Sequence, residues 1–287
     1  MISKDTKFLI VGLGLMGGSY AKALSQKGYH VDAIDINEES LQYAIDHQFI
    51  KRGSSDSSTL LPDADIIISA LYPTTMINWI KEHQQDMKSG ALMSDVSGVK
   101  GCIVKEVQAI LRDDVEFCAS HPMAGKEVSG VQYADESIFK IANFIITPTD
   151  KNTYKAIETI KEIASLLEFA NISILSIEKH DEMIGYVSQL THAIAVSLMN
   201  ANDDPNLVAY TGDSFRDLTR IAKINETLWS ELFFLNKDNL IREINDFVST
   251  LNHLKETLET NDAEELKRLF RSSTQRRKLF DQKEKRQ

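Results

Sequence analysis

Very little in this chain of 287 residues could cross-link it, anchor it or clamp a metal ion. There are two cysteines, Cys102 and Cys118; a single disulfide is not the usage of a chain this size and class, so both read as reduced core residues. No stretch approaches the ~18 consecutive apolar residues of a membrane helix. The opening MISKD leads straight into a candidate strand without a signal-peptide apolar region, so the expected location is cytoplasmic, with no membrane partner. Cysteine and histidine nowhere fall at metal-ligand spacing, and no metal is expected. A basic excess is missing too: the formal net charge is −10, which argues against nucleic acid but decides little about an acidic small molecule, since a local cluster can reverse the field. Internal repeats and low-complexity tracts are absent. What remains is a globular composition, 43% hydrophobic and 26% charged, with length for about two domains.

The most organised stretch is residues 7–35, KFLIVGLGLMGGSYAKALSQKGYHVDAID. An apolar strand runs directly into GLGLMG, the pattern GxGxxG at a strand-to-helix junction. Gly12 permits the tight turn, Gly14 removes a Cβ from the path of a pyrophosphate, and Gly17 lets helix and strand pack closely. Leu15 and Met16 open the helix, whose free N–H groups and positive dipole end then face the phosphates. Asp35 closes the second strand 18 residues past Gly17 (35 − 17 = 18), close to the ~20 of an acid that hydrogen-bonds the adenosine ribose. A carboxylate there repels a 2′-phosphate, and the following Ile36-Asn37-Glu38-Glu39 offers no Arg or Lys to receive one, which favours NAD over NADP.

Strand and helix keep alternating beyond this unit. Asn37 can cap a helix through His47, 54–58 is a polar connection, and 64–71 is a buried parallel-type strand whose end, Leu71 with Tyr72-Pro73-Thr74, lies on the crevice side where open α/β sheets bind ligands. A helix over 75–87 and a strand over 91–96 repeat the pattern, then a helix to Leu111 and a strand over 115–120 that ends on His121 at the crevice edge if it is parallel. Residues 123–143 are irregular, a length more often functional than idle, and 144–149 reads as a final strand completing this domain. From Lys151 the character turns helical: 154–167, a short strand at 172–177, a long apolar helix over 179–200, then 215–223, 229–236, 237–259 and 262–282, with a frayed end at 282–287. The expected fold is α/β: an N-terminal Rossmann-type doubly wound sheet over 1–149 and an all-helical domain over 150–287. Its apolar positions exceed what one small bundle needs, which points to a helical dimer interface.

Several polar groups sit where chemistry would need them. His121 is either a base at a strand end or a cap on the turn before Pro122. Ser97 and Lys100, from the neighbouring strand end, could orient that histidine, touch the cofactor, or, for Ser97, cap the next helix. Glu127 is a site carboxylate or a solvated one, and His192, mid-helix among Leu190, Ala193 and Ile194, is a ligand or a satisfied core histidine. Asp217 and Arg220 share a helical face; they form a surface pair, or Asp217 holds Arg220 as a bidentate clamp on a carboxylate.

GLGLMGGS at 12–19, DVSGVKG at 95–101, HPMAGKEVSG at 121–130, QLTH at 189–192, and FRDLTRIA at 215–222 followed by Trp229 together resemble the prephenate/arogenate dehydrogenases of tyrosine biosynthesis over nearly the whole chain. The resemblance implies NAD-dependent oxidative decarboxylation of prephenate, a dicarboxylate, to 4-hydroxyphenylpyruvate by a homodimer joined through its C-terminal helices. By position, His121 resembles the catalytic histidine that hydrogen-bonds the ring hydroxyl. Ser97 lies near the serine that orients it and touches the cofactor. Arg220 resembles the arginine on a substrate carboxylate, His192 the histidine near the substrate side chain, and Trp229 a site-lining aromatic. Glu127 and Asp217 resemble members of an ionic network that gates the site, Asp217 reaching it from the partner subunit. Two departures stand out: Gly98 occupies the usual serine position, with Ser97 before it, and Gly212-Asp213-Ser214 replaces a glycine-rich run. No regulatory ACT module is expected, since helices run to the end. An arogenate dehydrogenase would use the same groups. A β-hydroxyacid dehydrogenase shares the GLGxMG opening but needs a lysine-bearing helix not found between 151 and 200, and an NAD-sensing module would need none of His121, His192 and Arg220.

Overall fold

The computed structural model describes residues 2–284, with side chains as far as Phe280. It divides into two compact units, one ending at Lys237 and one running from Asp238. In the first, β1 (Lys7–Val11), β2 (His30–Ile34), β3 (Gly53–Ser54), β4 (Ile66–Ser69), β5 (Leu92–Asp95) and β6 (Glu116–Phe117) form a six-stranded sheet in the order β3-β2-β1-β4-β5-β6. Every pairing in it is parallel. Order reverses at β1, which places the crevice of a doubly wound sheet beside the glycine turn. The expected Rossmann-type domain is what forms. β3 lies in the stretch read as a polar connection: Gly53 and Ser54 pair with Ala33 and Ile34, and two residues carry no alternation from which a strand could be read.

The pleat of β1 explains the layers. Phe8 and Ile10 point into one core with Tyr20, Ala21 and Leu24 of α1 (Leu15–Gln26) and Ile160 of α5 (Tyr154–Leu166). Leu9 and Val11 point into the other, with Met76 and Ile80 of α3 (Pro73–His83) and Ile103 and Val107 of α4 (Gly101–Ile110). Asn37 caps α2 (Glu38–Asp46) by accepting from Ser40 N, and Pro73 occupies the first turn of α3, where its missing N–H costs nothing.

The strand expected over 115–120 is instead two strands in two sheets. β6 pairs with β5, but beyond Cys118 the edge of β5 is taken by side chains: Asp95 Oδ1 accepts from Ser120 N, and Ser120 Oγ donates to Asp95 O. The chain therefore leaves the ladder as β7 (Ala119–Pro122), pairing antiparallel with β8 (Asn143–Thr147), with His121 opposite Ile145. β8 is the middle strand of this second sheet, and β9 (Asn171–Ile174) joins it in parallel. Part of the irregular 123–143 stretch is structural, since Val131 and Ala134 sit against Gly18 of α1 and Asp135 N donates to Ser19 Oγ.

The long helix expected over 179–200 is α6 (Ile177–Ile184), a π-helical segment over Gly185–Leu190, and α7 (Thr191–Asn200). Such an insertion is a local feature that periodicity cannot reveal and that recurs at functional sites. Then come α8 (Leu207–Tyr210), α9 (Asp213–Thr219) and α10 (Glu226–Leu235). The second unit is a helical pair, α11 (Lys237–Glu259) and α12 (Ala263–Glu284), joined through Asn261 at φ +53° and tied by His253 Nε2 to Glu265 Oε1 at 2.9 Å. Of the end expected to fray, 282–284 continue α12 and 285–287 lie outside the described residues. Phe247, Val248, Leu251, Leu258 and Phe270 are exposed on this pair. No helix among the described residues is long and apolar enough to cross a membrane.

Candidate active site

The glycine turn has the shape a dinucleotide needs. Gly12 sits at φ +93°, a conformation costly for any residue with a Cβ, and its N–H donates to Ile34 O. A Cβ on Gly17 would lie 1.9 Å from Gly12 O, so no other residue fits there. A Cβ on Gly14 would meet no protein atom within 4 Å, which leaves that side open to a ligand. Leu71 closes over Gly12, its Cδ2 3.1 Å from where a Cβ would be. Asp35 is anchored by backbone: it accepts from Leu13 N and, at 2.8 Å, from Asn37 N. Arg52, just before β3, is committed to Asp32 (2.6 Å) and Asp63 (2.9 Å).

Next along the sheet edge is the loop after β5. Lys100 is fully buried, and its ammonium donates to Asp95 Oδ2 (2.6 Å), Ser97 O (2.9 Å) and Ser120 O (2.6 Å). All three N–H groups are used, so Lys100 neither orients His121 nor reaches a cofactor; it pins the ends of β5 and β7 together. Burial pulls its basicity down and Asp95 opposes that. Ser97 is buried, and its Oγ has no hydrogen-bond partner. Neither Ser97 nor Gly98, which has no side chain, bonds the His121 ring.

That ring is instead held from behind. His121 Nδ1 lies 2.9 Å from Nε2 of His180 on α6, and His180 Nδ1 lies 2.8 Å from Asp181 Oδ1. Asp181 accepts from Lys100 N (2.9 Å) and Gly101 N (2.7 Å) at the start of α4. His180 is fully buried, whereas His121 is half-buried. Enclosure, then the neighbouring His180 and Lys100, hold His121 well below the usual imidazole range, so it is neutral at pH 7. The sequence reading missed His180 and Asp181. Their only signal was a His-Asp step in the polar first turns of a helix, and the partner ring is 59 residues away.

The helical groups gather separately in the same unit. His192 stacks on Trp229 at 3.6 Å between ring centroids, and its Nδ1 lies 2.9 Å from Ser188 O in the π-helical segment. Burial lowers its basicity, the Ser188 carbonyl and Glu127 oppose, and Arg220 adds to the lowering. Arg220 is ion-paired with Glu127 across 93 residues of chain, not with Asp217; the short pair on α9 is Arg216 with Asp213. Asp217 is exposed and forms no ion pair among the described residues. α10 is fastened to the crevice edge by Glu231 accepting from Thr74 N (2.6 Å) and Asn225 donating to the Tyr72 hydroxyl (3.0 Å). Leu232 of α10 sits against Gly98, and its carbonyl accepts from Gln189 (2.8 Å). Among the described residues, no group of three or more His, Cys, Asp or Glu side chains is placed to hold a metal ion.

A glycine cradle at the reversal point of a parallel sheet, with a neutral imidazole at a neighbouring strand end, is the arrangement of the dinucleotide-dependent oxidoreductases. The family model of the prephenate dehydrogenase nucleotide-binding domain matches residues 20–171, and that of the prephenate dehydrogenase dimerization domain matches residues 176–272. Prephenate dehydrogenase of Bacillus subtilis (strain 168) is 30% identical over 280 residues, 94% of this chain and 74% of that protein. The crystal structure of prephenate dehydrogenase from A. aeolicus in complex with hydroxyphenyl propionate and NAD+ has a TM-score of 0.89 at 32% identity, over 97% of this chain and 99% of that one. Arogenate dehydrogenase of Synechocystis shares the fold, with a TM-score of 0.82 at 22% identity over 96% of this chain and 100% of that one. The chain belongs to the prephenate dehydrogenase family.

Proposed function

We propose that the chain catalyses the NAD-dependent oxidative decarboxylation of prephenate to 4-hydroxyphenylpyruvate, in tyrosine biosynthesis, as a cytoplasmic homodimer joined through its C-terminal helices. The observation that carries this reading is His121, a neutral imidazole half-open at the crevice end of β7. The cradle fits a dinucleotide: Gly17 leaves no room for a side chain, Gly14 opens outward, and the orphaned Ser97 Oγ is a buried polar atom without a protein partner. Gly12, Gly14, Leu15, Met16 and Gly17 would hold the pyrophosphate, Asp35 the adenosine ribose, and Leu71 and Ser97 the inner edge. In this division the cofactor groups come from residues 1–149, and His192, Arg220 and Trp229 from 150–287.

When bound, the cofactor supplies the hydride acceptor. Prephenate carries a hydroxyl and a hydrogen on C4 and a carboxylate across the ring; once hydride is lost from C4, the ring expels that carboxylate as CO2 and becomes aromatic. His121 takes the hydroxyl proton, which makes loss of hydride favourable. Arg220 exchanges Glu127 for a substrate carboxylate. An exposed pair is worth only about 0–1 kcal/mol, so little opposes the exchange. Asp217, which forms no ion pair among the described residues of its own chain, is available to the same network in the second subunit. Trp229 fixes the face of His192 toward the substrate side chain.

A second reading, arogenate as substrate, draws on His192. Because a carbonyl only accepts, Nδ1 is the donor to Ser188 O, and the neutral ring presents Nε2 as an acceptor suited to a side-chain ammonium. Initial rates followed by NADH absorbance with prephenate and with arogenate, each with NAD and with NADP, decide both questions. Higher kcat/KM with prephenate and NAD is expected; no turnover of either substrate refutes the assignment.

A further inference from the structure

We propose that His180 and Asp181 are positioning residues that set the tautomer of His121, so that its Nε2 presents a lone pair to the substrate. The proposal rests on the reading of His121 as the base. The geometry allows one assignment of protons along the chain Asp181–His180–His121. Asp181 Oδ1 already accepts from Lys100 N and Oδ2 from Gly101 N, so both oxygens act as acceptors. His180 must therefore carry its proton on Nδ1, 2.8 Å away. A neutral His180 then offers Nε2 as an acceptor, and His121, 2.9 Å off, must donate from Nδ1. Of the two unprotonated ring nitrogens, His180 Nε2 is taken up by His121, and the one whose lone pair stays unused within the pair is Nε2 of His121, the one a base needs.

Among the described residues, no other side chain bonds the His121 ring. Gly98 contributes no side chain, and Ser97 Oγ bonds to nothing. When His121 Nε2 accepts the hydroxyl proton, its Nδ1 proton can pass to His180 Nε2, leaving the cation beside the Asp181 carboxylate, with the proton count conserved. The carboxylate needs the room it has: a Cβ on Gly101 would stand 2.8 Å from Asp181 Oδ2, so Gly101→Ala must push the carboxylate aside while the helix itself tolerates alanine.

The test has an arm that needs no turnover. In 15N-histidine-labelled wild type at pH 7.5, nitrogen shifts are expected to show both His121 and His180 as Nδ1–H tautomers, and His121 is expected to switch to Nε2–H in Asp181→Asn. His121 found as Nε2–H in wild type overturns the proposal. For activity, Asp181→Asn and Gly101→Ala are expected to lower kcat by the ~10²-fold scale of an acid–base group, with KM for prephenate and Kd for NAD within about threefold of wild type on the standing variability of such effects. Loss of the negative charge should also move the ascending limb of kcat against pH downward in Asp181→Asn, a limb on which Lys100 and Asp95 act equally in both proteins. Unchanged kcat in both variants, or loss of NAD binding in step with kcat, overturns the proposal. If the wild type turns over neither prephenate nor arogenate yet shows both tautomers, it is the assignment of function that fails.

Discussion

Replacing Lys100 with methionine tests whether the buried ion pair holds the active edge of the sheet. Methionine keeps most of the side-chain volume, so the cavity contribution is small. What is lost is the ammonium and its bonds to Asp95 Oδ2, Ser97 O and Ser120 O. Asp95 would be left without its cation in a fully buried site, with only Ser97 N and Ser120 N to stabilise it, and two buried carbonyls would lose a donor. Breaking one side of a buried pair costs about 3–5 kcal/mol, equivalent to a fall in Tm of about 6–20 °C for a unit of this size. Urea unfolding followed by fluorescence of Trp79 and Trp229, both in the unit that contains Lys100, gives the free energy directly. The variant D95N/K100M removes the stranded charge and should recover about 1–3 kcal/mol relative to the sum of the single changes. A loss below about 1 kcal/mol in K100M, set against the expected range for buried pairs, or strict additivity in the double variant, would show that the pair is not a structural pin.

His121→Asn is expected to leave NAD affinity intact and to lower kcat by about 10²–10⁴-fold; full activity in this variant removes His121 from the chemistry. Because enclosure depresses the His121 imidazole, the ascending limb of kcat/KM is expected below pH 6.5, the ordinary histidine value, and a limb centred above it would contradict the geometry. Arg220→Ala should raise KM for prephenate with a smaller effect on kcat, and an unchanged KM refutes the carboxylate contact. Stability should also report the two histidines: His121 and His180 both have folded values below the unfolded one, so the unfolded chain binds more protons and stability falls as pH drops below about 6.5. That window lies above the one for Asp114, held down to about 2 by Arg112, and is expected to flatten in His180→Asn; equal slopes in the two proteins between pH 7 and 5 would be the contrary result.

Much of the cofactor half was written locally. Gly12, Gly17 and Asp35 act through turns and spacings within 29 consecutive residues of chain, and a pattern of that span is legible because each requirement is met by its own neighbours. The same holds for the Asn37 cap and the Pro73 helix start. His121 was also legible, because strand ends at a crevice can be counted from alternating elements even though its strand proved to belong to a second sheet. Pairing was not legible. Arg220 looked matched to Asp217 three residues away, yet it pairs with Glu127, because helix spacing says which groups share a face and not what faces them.

By itself, then, the sequence determined the glycine cradle, the acid that closes it, the parallel sheet and the residue types of a base and a carboxylate clamp, all set by short-range sterics and periodicity. Only the tertiary structure decided that Lys100 is a buried pin rather than a ligand, that the chain leaves the sheet after Cys118, and that His121 is backed by His180 and Asp181. Those outcomes depend on contacts such as Lys100 with Ser120, 20 residues apart, Asp95 with Ser120, 25 apart, and His121 with His180, 59 apart, where folding fixes distance and proton direction and local sequence carries no record of either.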